Sequence, residues 1–136
     1  MSQLAVIDTS IYLNHFRHGK YREELQKGIF LVRNSSVVLA ELYRGCHEPE
    51  EREHIDELAE NFPVITPPEK IWLESGKILA QLAKQKGYQP GKIRDLHFDV
   101  LIALSARSVG AVLITNNRRD FEEVKKLKDF KLLCWD

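Results

Sequence analysis

Short apolar runs alternate along this chain with longer stretches in which apolar residues recur at helical spacing. The runs are rich in Val, Ile and Leu, which is typical of strands in the interior of a sheet. We predict strands at 4–7, 29–32, 62–66, 111–115 and 131–135. We predict helices at 11–16, 20–28, 37–43, 49–61, 69–86 and 95–109, with a short one after residue 120. Strands that alternate with helices indicate an α/β sandwich with a mostly parallel sheet.

Polar residues and glycines suggest where these helices begin and end. Thr9 or Ser10 is expected to cap the first helix, Ser35 or Ser36 the helix at 37–43, and Asp95 the helix at 95–109. In the helix at 69–86, Trp72 shares the spacing of the apolar residues, so we expect it on the inner side.

Composition narrows the class of protein. A chain of 136 residues with 43% apolar residues supports one compact domain, expected to span 1–136. Lys plus Arg and Asp plus Glu are both 20, which excludes nucleic-acid binding by bulk positive charge but not by a local basic groove. Cys46 and Cys134 have no metal-like spacing, and there is neither a basic leader nor an apolar run of roughly 20 residues. We therefore expect a cytoplasmic protein without a membrane span.

Three acids occupy positions that are unusual for a purely structural carboxylate. Asp8 comes directly after the first strand, where parallel sheets form their sites, although an Asp there can also cap a helix. Glu41 lies inside an apolar helix, where it needs a partner, and Arg44 is a structural candidate. Asp99 lies near the start of another apolar helix, where the helix dipole also favours an anion.

A fourth acid follows the clearest interior strand. Asp120 comes after a polar turn that begins at Thr115 and contains Asn117, a composition that is also common in turns without function. Asp95 is an alternative fourth acid, because it shares a helix face with Asp99.

Four acids that met at one sheet edge would repel one another unless cations lay among them. Oxygen ligands suit Mg²⁺ or Mn²⁺, which keep several waters and accept phosphate oxygens. Two such ions roughly 3.5–4 Å apart can activate water and stabilise the leaving oxygen in phosphodiester cleavage. Basic residues near the acids would suit a phosphate backbone, but they can equally serve solubility; they are Lys92, Arg94, Arg118 and Arg119.

Four segments, in this order and spacing, make the chain resemble a PIN-domain ribonuclease, and more narrowly a VapC toxin of a toxin–antitoxin pair. Residues 6–10 resemble the opening strand with its first acid, and residues 36–45 resemble the Ser-x-x-x-x-Glu-Leu-x-x-Gly helix. Residues 98–106 resemble the Asp-x-x-Ile-Ala helix, and residues 115–121 resemble the closing Thr-x-Asn-x-x-Asp-Phe turn. Ser10 departs from the family pattern, since relatives often have Asn there.

The resemblance implies a PIN-like three-layer α/β/α sandwich, Mg²⁺- or Mn²⁺-dependent cleavage of RNA, a homodimer, and neutralisation by a small VapB-type antitoxin. It assigns catalysis and metal binding to Asp8, Glu41, Asp99 and Asp120. Supporting or substrate-binding roles fall to Thr9, Ser10, Thr115, Asn117 and Arg118.

Three other classes of protein remain open from the sequence. A receiver-type signalling domain would need an acidic pair near the first strand and an Asp that ends a middle strand, and the run at 62–66 ends without one. A phosphatase with an Asp nucleophile would need a second Asp at the position of Ser10. A catalytically silent PIN-like module that binds RNA is distinguished from a ribonuclease by a cleavage assay.

Overall fold

A parallel five-stranded sheet forms the centre of the protein. The computed structural model describes residues 3–136. Its strands are β1 (Gln3–Ile7), β2 (Phe30–Ser35), β3 (Val64–Ile65), β4 (Val112–Thr115) and β5 (Lys131–Cys134). Every neighbouring pair is parallel, and the strand order is β3-β2-β1-β4-β5, which places β1 in the middle. The mostly parallel sheet expected from the sequence is confirmed.

Seven helices connect the strands within the described residues. They are α1 (Thr9–His18), α2 (Arg22–Gln26), α3 (Ser36–Arg44), α4 (Pro49–Asn61), α5 (Glu69–Lys86), α6 (Pro90–Ser108) and α7 (Arg118–Leu127). Crossovers between parallel strands are right-handed, and this strand order then places α1–α4 on one face and α5–α7 on the other. The packing of α5 on α6 and α6 on α7, and of α3 on α1 and α4, agrees with this arrangement. The fold is the predicted three-layer sandwich.

The core lies where the central strands meet α6. Val6, Leu113 and Ile114 are fully buried, as a strand covered on both faces requires. The run 100–104 of α6 is buried as well, because this helix lies between the sheet and its neighbouring helices. Such a helix is apolar on most of its surface, which explains why its sequence shows little amphipathic contrast.

Two helix starts differ from the expectation. Helix α1 begins directly after Asp8, so Thr9 and Ser10 lie in its first turn and do not cap it. Helix α6 begins at Pro90, five residues before the predicted start, because proline at the first helical position needs no hydrogen bond for its missing N–H. Asp95 therefore lies exposed within the helix, and its predicted capping role is wrong.

The predicted cap of α3 is confirmed, whereas strand β3 and the side chain of Trp72 differ from the prediction. The Ser35 hydroxyl caps α3 by accepting hydrogen bonds from the N–H groups of Val37 and Val38 at 3.2 and 3.4 Å. Strand β3 has two residues, because prolines at 63 and 67 bracket it and cannot donate to a ladder. Trp72 is 46% exposed, so its predicted inward position is wrong.

None of the helices within residues 3–136 is long and apolar enough to cross a membrane.

Candidate active site

The predicted acids approach one another at the carboxyl edge of the sheet. Asp8 follows β1 in the middle of the sheet, and its N–H donates to the Ile114 carbonyl of neighbouring β4 at 2.8 Å. Helices α3 and α6 bring Glu41 and Asp99 to the same place, and α7 brings Asp120. The negative charges of Asp8, Glu41 and Asp120 all raise the pKa of Asp99, so the four acids share one electrostatic environment.

Asp8 is the most buried acid of the group. It is 4% exposed, and its Oδ2 accepts hydrogen bonds from Ser10 Oγ at 2.7 Å and from Thr115 Oγ1 at 2.8 Å. Burial raises the pKa of Asp8, and the two hydroxyl donors oppose the rise only in part. Residue 8 stands at the N-cap position of α1, but its carboxylate is fixed by side chains from α1 and β4.

Glu41 lies within α3 and faces the start of α1. Thr9 Oγ1 donates a hydrogen bond to Glu41 Oε1 at 2.8 Å, while Arg44 remains 3.9 Å from the other oxygen. Burial and then the charge of Asp8 raise the pKa of Glu41, against the opposing effects of Thr9 and Arg44. The Arg44 side chain is 70% exposed, so this loose pair contributes little to stability.

The pKa of Asp99 is strongly raised by its surroundings. Burial first, and then the charges of Asp8, Glu41 and Asp120, raise its pKa from 3.8 to about 8, with Lys92 acting in the opposite direction. No side chain of residues 3–136 donates a hydrogen bond to its carboxyl group. At neutral pH and without a cation, Asp99 is therefore largely protonated.

Asp120 lies at the rim of the group and is held by two donors. Lys92 Nζ donates to Oδ1 at 3.0 Å, and Asn117 Nδ2 donates to Oδ2 at 3.2 Å. Asp95, the other candidate for the fourth acid, is exposed and is not among the charges that mainly raise the pKa of Asp99. The geometry thus favours Asp120 over Asp95.

Four of the five predicted supporting residues contact the acids. Thr9, Ser10, Thr115 and Asn117 each donate a hydrogen bond to one of the carboxylates. Arg118 does not, because its guanidinium binds Asp136 at 2.6 and 2.9 Å. The sequence pointed to Lys92 only as one of several basic neighbours, and its pairing with Asp120 depends on how α6 packs on α7.

The donor set matches a hard divalent cation in chemistry and charge. All four acids present oxygen atoms, and their mutual repulsion, expressed in the pKa of Asp99, is what a cation would relieve. Within residues 3–136 no group of three or more His, Cys, Asp or Glu side chains is already arranged to hold a metal ion. Hydroxyl and ammonium donors hold Asp8, Glu41 and Asp120 instead.

Comparison with known proteins shows which family the chain resembles. The family model for the PIN domain matches residues 5–127. Ribonuclease VapC2 of Haemophilus influenzae is 35% identical over 98 residues, which cover 69% of this chain and 70% of that protein. The tRNA(fMet)-specific endonuclease VapC of Shigella flexneri is 35% identical over 131 residues, which cover 90% of this chain and 93% of that protein.

A solved structure shares almost the whole fold. The crystal structure of VapBC2 from Rickettsia felis bound to a DNA fragment from its promoter has a chain that superposes with a TM-score of 0.70 and 25% identity. The match covers 98% of this chain and 99% of that chain. With an acid-lined sheet edge, a family model over most of its length and VapC relatives at 35% identity, the chain belongs to the PIN-domain family and, within it, to the VapC ribonucleases.

Proposed function

We propose that this protein is an endoribonuclease toxin that hydrolyses RNA phosphodiester bonds at the acidic edge of its sheet. The observation that carries the proposal is the meeting of Asp8, Glu41 and Asp99 from three separate elements. Burial, and then the charges of the neighbouring acids, raise the pKa of Asp99 to about 8. A fold gains no stability by gathering acids that repel one another, and carboxyl groups with strongly perturbed pKa values are typical of functional sites. The VapC relatives supply the reaction class.

The proposal includes dependence on Mg²⁺ or Mn²⁺, with Asp8, Glu41 and Asp99 as ligands and Asp120 at the rim. A bound cation of this kind would generate a nucleophile from water at neutral pH and stabilise the charge that develops on the phosphodiester oxygens. Support comes from the oxygen donors and from the excess of negative charge at the site.

The residues around the acids have separate tasks in this proposal. Ser10 and Thr115 fix the orientation of Asp8, and Thr9 fixes that of Glu41. Burial and the charges of the neighbouring acids raise the pKa of Asp99, and no side chain among residues 3–136 donates a hydrogen bond to it, so it holds a proton until positive charge arrives. Side chains held in this way reduce the reorganisation that binding and reaction require.

A VapB-type antitoxin and a second copy of the chain are the proposed protein partners. The structural relative from Rickettsia felis is a VapBC complex, which supports an antitoxin of the VapB type. The outer side of α5 exposes Trp72 and Leu73 at 46% and 61%, a large apolar area that a homodimer would cover.

The test is cleavage of RNA by the purified chain, with initiator tRNA first because the Shigella flexneri relative is specific for it. Glu41→Gln keeps the size of the side chain and removes its charge, and we expect cleavage to fall at least 100-fold while the fold persists. Asp95→Asn is the matched control, since it removes a carboxylate from an exposed position of α6 and should leave cleavage unchanged. Chelation of divalent cations should abolish cleavage by the unmodified chain.

Two results would contradict the proposal. Equal cleavage by the unmodified chain and Glu41→Gln would show that the acid group is not the site. RNA that is bound but never cleaved in Mg²⁺ or Mn²⁺ would favour a silent RNA-binding module.

A further inference from the structure

We propose that Lys92 binds the scissile phosphodiester of RNA and that Asp120 and Asn117 position its ammonium group. The inference rests on the proposed ribonuclease function and gives Asp120 a role different from direct metal ligation. It starts from the fact that both oxygens of the Asp120 carboxylate are already engaged, one by Lys92 and one by Asn117.

The ammonium is held from one side and available on the other. Its Nζ lies 3.0 Å from Asp120 Oδ1 and 5.8 Å from the centre of the Tyr88 ring. Within residues 3–136 Asp120 is the only hydrogen-bond acceptor that it contacts, although an ammonium has three N–H bonds. The side chain is 38% exposed, so a ligand can reach the remaining donors.

Its place in the fold connects it to the acid group. Lys92 stands in the first turn of α6, seven residues before Asp99, and residues two turns apart share a helix face about 10 Å apart. The charge of Lys92 also lowers the pKa of Asp99, which supports this proximity. A phosphodiester bound at the acids would therefore lie close to Lys92.

An anionic substrate needs such a cation here. RNA that approaches four carboxyl groups meets negative charge, and the chain as a whole has no net positive charge to offset it. The other basic side chains near the site are less suited. Arg44 is 70% exposed and pairs loosely with Glu41 at 3.9 Å, and Arg118 is held by Asp136. Arg94 and Arg119 are exposed. Lysine serves as a compact positive charge toward phosphate oxygens.

The protein contains a matched control for this lysine. Lys86 of α5 binds Glu123 of α7 at 2.9 Å, with side-chain exposures of 39% and 20%. The corresponding values for Lys92 and Asp120 are 3.0 Å, 38% and 21%. The two ion pairs thus match in distance and exposure, and both link a helix to α7, but Glu123 is not among the charges that mainly raise the pKa of Asp99.

The experiment compares Lys92→Gln, Lys92→Arg and Lys86→Gln by RNA binding and cleavage. Binding is measured by fluorescence anisotropy of a labelled RNA at several KCl concentrations, in a Glu41→Gln background in which the RNA stays intact. We expect Lys92→Gln to weaken binding about 10- to 100-fold and to lower the slope of log affinity against log salt by about 0.7, the value for one lost phosphate contact on single-stranded RNA. Lys92→Arg should restore part of the affinity, and Lys86→Gln should change neither quantity.

Cleavage and thermal unfolding complete the comparison. In the chain with Glu41 intact, Lys92→Gln should reduce cleavage by a similar factor, while its melting temperature falls no further than that of Lys86→Gln. If the two glutamine variants match in affinity, salt slope and cleavage, Lys92 is a structural tie and the inference is wrong while the ribonuclease function stands. If the unmodified chain neither binds nor cleaves RNA, the proposed function fails and Lys92 has no phosphate to bind.

Discussion

Replacing Asp99 by asparagine should stabilise the protein in the absence of divalent cations. The native pKa of Asp99 is about 8, against 3.8 for a free aspartate side chain. Between these values the native state binds a proton that the unfolded state releases, so the free energy of unfolding falls as pH rises through the window from about 4 to 8. Asparagine does not titrate, and the Asp99→Asn variant should lose this part of the pH dependence.

The size of the effect follows from the pKa difference. The unperturbed pKa of 3.8 lies roughly three pH units below pH 7. At about 1.4 kcal/mol per unit, the stabilisation of Asp99→Asn at pH 7 has an upper limit of about 4 kcal/mol. Water reaches the partly buried carboxyl group and neighbouring side chains adjust, so we expect a gain of about 1–3 kcal/mol at pH 7 and almost none at pH 4. Asp8 and Glu41 also have raised pKa values, and their share of the pH dependence should remain in the variant.

The measurement is urea unfolding in a chelator at pH 4, 5, 6, 7 and 8, followed by circular dichroism. Asp95→Asn makes the same chemical change at an exposed position of α6 and should leave the pH dependence as it is. With saturating Mn²⁺ the unmodified chain should become the more stable of the two. A cation at about 100 times its dissociation constant adds about 2.7 kcal/mol to the free energy of unfolding of a protein that binds it. A variant that is less stable than the unmodified chain at pH 7 in chelator would show that Asp99 is held by favourable interactions, and the reasoning would be refuted.

Three further changes test neighbouring features. Thr9→Val removes the hydroxyl that donates to Glu41 at 2.8 Å, so the pKa of Glu41 should rise further and the acidic limb of the cleavage–pH profile should move to higher pH. Thr66→Val at an exposed position should not move it. Ser35→Ala removes the cap of α3 and should lower the free energy of unfolding by about 1 kcal/mol in urea titrations; no loss would mean that the cap is replaced. Trp72→Lys should keep the chain monomeric in sedimentation at micromolar concentration, and an unchanged dimer would place the interface elsewhere.

The sequence predicted the fold well where one physical signal dominated. Central strands buried on both faces are continuous apolar runs, and for that reason residues 111–115 identified β4 almost to the residue. The helix at 69–86 was predicted with its observed ends, because Pro68 precedes it and Gly87 follows it with a positive φ of 65°. Tertiary packing decided the rest. Trp72 fits the apolar spacing of α5, but the inward stripe passes beside it.

In the candidate site, too, some residues are marked by the sequence and others are revealed only by tertiary packing. Asp8, Glu41 and Asp99 stand out in the sequence because a carboxylate beside or within an apolar segment needs a reason. Thr9 was expected to cap a helix and, from the family resemblance, to support the site, but only the packing of α1 on α3 shows that its hydroxyl donates to Glu41. The Lys92–Asp120 pair joins two helices separated by a strand, and no local pattern indicates such a contact.

The central position of β1 has a consequence for the order of events during synthesis. One edge of β1 pairs with β2, which follows within 35 residues, but the other edge pairs with β4 at residues 112–114. Thr115, at the end of β4, donates the second hydroxyl hydrogen bond to Asp8. A nascent chain cannot assemble the acid group until nearly nine-tenths of it has left the ribosome, because Asp8 has neither its neighbouring strand nor its second hydroxyl donor before then. Fragments from translation that stops before residue 112 would therefore lack the site altogether and expose an unpaired strand edge that invites degradation or aggregation.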